Sequence, residues 1–150
     1  MTGTGDFKKN SLEEPELFFR PYNPLFNTNY NLVINAKKGV DVKIFYDILI
    51  LTGLEKDRLA SMFHLSMKTI MRYNQANKNL DTITGEQALK IVALFKKGYE
   101  VFGSLPVFRN WLTKPQYGLG RQIPFDLMET SLGIDLITEE LIRIEYGTTA

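Results

Sequence analysis

From Tyr30 to Ile144, apolar residues return at helical intervals, and no run alternates apolar with polar positions for a useful strand length. The first periodic segment lies near residues 30–37 and stops at Gly39, a residue suited to a left-handed helix end. In residues 41–52, Phe45, Ile48, Leu49 and Thr52 share a face, and Gly53 closes the segment. Helices are predicted near 55–63 and 67–75, then a long one near 85–101. In that long helix Thr84 and Gln87 have capping-box form, and Ala88, Ile91, Val92, Phe95, Tyr99 and Phe102 line one side. A helix near 105–113 carries Phe108, Trp111 and Leu112, and short helices near 124–131 and 138–145 end the pattern. The fold class is all-α.

Two stretches break the rhythm. Residues 1–28 show no period, hold Pro15, Pro21 and Pro24, and read as a partly disordered arm, yet Phe18, Phe19, Tyr22 and Phe26 imply that part of it packs on the body or on a partner. Between Asn110 and Met128, Pro115, Gly118, Gly120 and Pro124 punctuate a link beside Trp111, the lone tryptophan. Three regions result: an arm over 1–28, a helical body over 29–102 and a C-terminal unit over 103–150.

Composition narrows the function classes. With 150 residues, 44% hydrophobic and 23% charged, the chain is long enough to bury a core. It has no cysteine, so disulfides and thiolate metal sites are excluded. The start lacks a signal-peptide order and no stretch reaches the roughly 18 apolar residues of a membrane span, so a cytoplasmic protein without a membrane partner is expected. The formal net charge of +1 conceals a division. Residues 55–78 carry five basic side chains against two acidic ones, whereas residues 122–150 carry six acidic against one basic. Opposite charge in two segments suits two partners, one of them nucleic acid; solvated faces account for charge alone equally well.

The basic segment has helix-turn-helix spacing. Leu59, Met62 and Phe63 suit a core, Ala60 is small where two helices cross, and His64 falls where the chain turns, at a position that often has positive φ. The only histidine has no carboxylate or second histidine at ligand spacing, so it reads as a turn residue rather than a metal ligand or general base. Leu65 plugs the core and Ser66 caps the second helix. With Ile70 inward, Met67, Lys68, Thr69, Arg72 and Tyr73 lie on or near the outward face. Lys68 and Thr69 would reach base edges, Arg72 a guanine or phosphate, and Tyr73 and Lys78 the backbone, with Ser66 at the helix start beside them.

The second half resembles the C-terminal toxin-binding region of the Xre/MbcA/ParS antitoxins, partners of RES-domain toxins. The resemblance rests on Val101-Phe102-Gly103, Trp111-Leu112, Pro115, Leu119-Gly120, Pro124, Asp126-Leu127, Gly133, and Leu141 with Ile144 and Gly147. Many members place a second glycine after the one matching Gly120, then arginine; here Arg121 and Gln122 follow, which shifts the basic side chain by one position. The resemblance implies a homodimeric antitoxin that binds DNA near its own genes and caps a toxin acting on NAD, with no cofactor of its own. It places toxin contacts around Trp111, Leu119, Gly120 and Arg121; the acidic end around Glu139, Glu140, Arg143, Glu145, Tyr146 and Gly147 is a further candidate on charge, because a cleft that binds the phosphates of NAD is electropositive. Leu127, Leu132, Ile137, Leu141 and Ile144 read as core, and Asp126 has an equally good account as a favourable charge at a helix start.

Catalysis is not expected. There is no phosphate-cradling glycine loop ending in lysine and no cysteine nucleophile, and the pairs Glu13-Glu14 and Glu139-Glu140 diverge rather than share a site. A stand-alone transcription regulator whose second half dimerises, and an interaction protein that has lost DNA binding, are the alternatives.

Overall fold

The computed structural model describes residues 13–147. In chain order the helices are α1 (Pro15–Phe19), α2 (Asn23–Phe26), α3 (Asn29–Lys38), α4 (Ile44–Thr52), α5 (Lys56–Met62), α6 (Met67–Gln75), α7 (Thr82–Phe102), α8 (Leu105–Leu112) and α9 (Ser131–Glu145). Two 3₁₀ turns, Tyr117–Leu119 and Pro124–Leu127, lie between α8 and α9. Strands β1 (Val40–Asp41) and β2 (Asn79–Leu80) pair antiparallel and tie the two ends of the α4–α6 segment together. Helices dominate the described residues, as the periodicity predicts.

Helix α7 is the axis. Its 21 residues span about 32 Å at 1.5 Å per residue, and α3, α4, α8 and α9 all pack on it. The predicted single apolar stripe understates its burial: Ala88, Ile91, Val92 and Phe95 are buried, and so are Leu89, Leu94 and Gly98 on other sides. The helix also starts a turn earlier than the capping-box reading places it. Asp81, directly after β2, accepts a hydrogen bond from the backbone N–H of Thr84 at 2.8 Å and closes the end. Gln87 is thereby released from capping and turns into the core. At Gly98 a side chain would overlap the ring of Phe108, so glycine here sets how closely α8 crosses α7.

The arm is more ordered than its sequence suggests. Proline at the first or second position opens both α1 and α2, where the missing N–H costs nothing. Phe18 and Phe19 are buried against the body, and Tyr99 on α7 donates to the Glu16 carboxylate at 2.7 Å. The Tyr22 hydroxyl donates to Asp47 on α4. Burial pushes the Asp47 carboxyl above its ordinary range although the bond from Tyr22 opposes this, and burial beside that carboxylate pushes the Tyr22 phenol well up. Residues 1–12 of the arm lie outside the described residues.

The end of the chain differs from the two short helices expected. Pro124–Leu127 is a single 3₁₀ turn, and α9 runs unbroken for 15 residues, opened by Thr130, which accepts from Gly133 N at 3.0 Å. This continuous register turns Ile134, Ile137 and Leu141 inward. Leu132, expected in the core, is 70% exposed because it lies on the opposite face, while Leu127 and Ile144 are half-buried. One cluster of buried apolar residues runs from Phe18 to Leu141 and joins the arm, body and C-terminal unit.

Candidate binding surfaces

The α5–α6 pair has a tight turn at the expected residue. His64 adopts φ 59°, and the N–H of Leu65 reaches back to Ala60 O at 3.0 Å. Leu59, Ala60, Met62, Phe63 and Ile70 are buried. Ser66 caps α6 by accepting from Thr69 N at 3.1 Å. Lys68 and Arg72 are exposed on α6, Met67 and Thr69 are partly so, and Lys78 follows beyond its end. Tyr73 gathers two cations: Lys78 Nζ lies 4.5 Å from its ring centre and the Arg72 guanidinium 5.8 Å. The outcome is a small basic face with the Ser66 cap at one edge.

The punctuated link folds into a closed finger. Gln116 and Gln122 form an antiparallel bridge, with Gln116 N donating to Gln122 O at 3.1 Å and Arg121 N to Gln116 O at 2.8 Å. The Gln116 side chain reaches back to Trp111 O at 3.0 Å and Lys114 O at 3.1 Å, so it ties the finger to the end of α8. Beneath, Trp111 stacks on Phe108 at 6.0 Å with 19° between planes and lies 5.7 Å from Phe102. The lone indole thus anchors the finger's base, as its place in the sequence suggests. At the tip Tyr117 is 84% exposed and Leu119 partly so.

Two successive residues of the finger are left-handed, Gly120 at φ 62° and Arg121 at φ 64°. The second is a position where glycine would be unstrained, whereas arginine there is strained. Its guanidinium lies 4.9 Å from the Tyr117 ring centre and donates to the Tyr117 hydroxyl at 3.3 Å, which offsets part of that cost.

The acidic end is organised differently from a uniformly charged surface. Glu140 is only 3% exposed; it lies under Gly118 and accepts from Arg143 Nε at 2.8 Å. The expectation that Glu140 contributes to an acidic surface is corrected by the α9 register, which aims this residue at the finger. Glu145 is held by Lys97 of α7 at 2.7 Å. Glu139 is exposed, as are Arg143, Gly147 and Tyr146, the last at 75%.

Sequence reasoning missed the residue that joins these surfaces. The Gln87 side-chain amide donates to Met62 O at 2.9 Å, at the end of α5, and to Met128 O at 3.0 Å, just before α9. Around it Arg58 of α5 pairs with Asp126 at 3.2 Å, and the His64 ring meets Glu129 O at 3.3 Å. Asp126 therefore meets a cation of α5. A polar Gln among the apolar positions of a helix was the available signal.

Among the described residues, no group of three or more histidine, aspartate or glutamate side chains could hold a metal ion, and no helix is long and apolar enough to cross a membrane. The class is an all-α protein whose final third presents a closed, braced finger and an outward helix face. Residues 97–147 match the family model described as the antitoxin Xre/MbcA/ParS C-terminal toxin-binding domain, so this third of the chain is similar to that domain. Comparison with curated proteins gives no match.

Proposed function

We propose that this chain is the antitoxin of a toxin–antitoxin pair, that it neutralises a RES-domain toxin consuming NAD, and that it binds its own operator as a homodimer in the cytoplasm. The observation that carries the reading is the family match over residues 97–147, in which Tyr117 and Tyr146 stand out in solvent from a rigidly braced frame. Tyrosine and arginine are the residue types that most often anchor protein interfaces, and Arg121 is stacked on Tyr117 in advance of binding. Trp111, Leu119 and Gly120 shape the finger, while Glu139, Arg143, Tyr146 and Gly147 meet the toxin directly. Glu140 and Glu145 hold the end of α9 in position through Arg143 and Lys97. A cleft that takes the phosphates of NAD is electropositive, so the exposed acid of α9 and the residues after it are suited to occlude it.

The operator-binding half of the proposal rests on the α6 face. Ser66, Met67, Lys68 and Thr69 at the start of α6 meet base edges and the adjoining phosphates, while Arg72, Tyr73 and Lys78 hold the backbone. No cofactor is needed for either task.

Co-expression with the adjacent toxin gene tests the antitoxin reading through growth. A chain ending at Glu145 keeps all of α9, so its fold survives while the final residues are lost. Loss of growth protection by this truncation supports occlusion by Tyr146 and Gly147; full protection overturns their part in it.

A further inference from the structure

We propose that the toxin-binding surface extends beyond the matched domain onto α3, through a groove between α3, α7 and α9 that receives an apolar, basic segment of the toxin. This rests on the antitoxin reading above.

The groove encloses about 620 Å³, with Leu32 and Val33 of α3 on one side and Leu132 of α9 on the other. Val33 is 44% exposed and Leu132 70%, so both lining side chains are open to solvent. Exposed single apolar residues are ordinary, but Val33 and Leu132 face one concavity from two helices, above the buried Leu32, which is the arrangement of an interaction site.

The charges select the occupant. Lys90 is committed to Asp135, donating to both carboxylate oxygens at 2.8 and 3.0 Å. Glu86 and Glu139 also line the groove; Glu86 accepts the Ser131 hydroxyl at 3.1 Å, and among the described residues neither makes an ion pair. The groove therefore keeps two uncompensated carboxylates beside its apolar floor. A second copy of this chain, related by a two-fold axis through the groove, would bring the same two acids against their equivalents, which is repulsive. A partner presenting lysine or arginine beside an aliphatic or aromatic side chain satisfies both features. The α9 wall of the groove lies within residues 97–147, so the surface is continuous with the matched domain, while α3 lies wholly outside it. Val33 would then help determine which toxin is accepted.

The test uses the full chain and the toxin encoded beside its gene, with affinity measured by calorimetry. Val33→Asp is expected to weaken binding at least tenfold while leaving the unfolding temperature nearly unchanged, since Val33 is exposed. Glu139→Lys is expected to slow association and reduce its salt dependence. Val33→Asp with wild-type affinity overturns the groove, and so does a change confined to the molecular mass of the free chain by light scattering, which assigns the groove to a second copy. If the unaltered chain itself fails to bind the toxin, the antitoxin reading falls and the groove assignment with it.

Discussion

The carboxylate of Glu140 lies against the Cα of Gly118, so that a methyl group on that carbon would overlap it. Gly118 has no positive φ, so the need for glycine is spatial. Gly118→Ala is expected to push the finger from α9 and destabilise the fold by about 1–3 kcal/mol, the usual cost of overpacking. Toxin affinity should fall further than stability alone explains, because Tyr117 moves with the finger. Denaturant melts beside calorimetric titrations check this, and an unchanged affinity refutes the finger's role.

Arg121 offers the opposite trade. Arg121→Gly removes a left-handed strain of about 1 kcal/mol or more and is expected to leave the chain equally or more stable, after the lost contact with Tyr117 is counted. Binding to the toxin should weaken in the same variant. Stability and affinity moving together would contradict the assignment of Arg121 to the interface.

Gln87→Leu keeps the side chain's bulk but leaves Met62 O and Met128 O without their donor. A loss of about 1–3 kcal/mol is expected from buried carbonyls left unpaired. Hydrogen exchange should quicken at the α5–α6 turn and at the start of α9 in the same sample. Quickening at one site alone would show that the amide does not couple them.

Tyr22→Phe removes the bond that partly counters the burial of Asp47, so the folded-state carboxyl should rise further above its ordinary value. A group with a raised folded value binds more protons when folded, so its contribution to stability falls as pH rises through the window above the ordinary Asp value. The variant should therefore lose more stability near pH 7 than near pH 4. The Tyr22 phenol is itself raised, so the unaltered chain should lose stability as pH climbs past the ordinary tyrosine value of about 10, and the variant should lack that part. Urea melts across pH read both slopes.

Under the proposed operator binding, Lys68→Glu with Arg72→Glu should abolish binding to the upstream operator and flatten its salt dependence, because two cations that would face the nucleic acid are reversed. Both are exposed, so the melting temperature should hardly move. Operator binding that survives would remove α6 as the reader.

Elements with strong local rules were legible in the sequence. His64 and Ser66 mark their turn and cap because positive φ and N-terminal capping are set within a few residues. Trp111 is found at the base of the finger because large aromatics seek burial. The same reasoning failed where distant parts decide. Nothing near Gln87 announces that its amide serves carbonyls 25 and 41 residues away, and a capping box was the local pattern it happened to match. Leu132 and Glu140 were placed on the wrong faces because two short helices were expected where one continuous helix fixes the register. The closed finger was hidden because the bridge between Gln116 and Gln122 depends on backbone pairing rather than on side-chain type. The arm's docking was half visible in its aromatics and invisible in the partner Asp47.

The amide of Gln87 has a consequence for how such a chain is cleared from a cell. Because one side chain bonds both the turn after α5 and the approach to α9, the coupling tested by Gln87→Leu would let a protease that waits for either to open find both open together. Under the proposed function, degradation would then end operator binding and toxin restraint in one event, with no long-lived fragment left performing only one of the two.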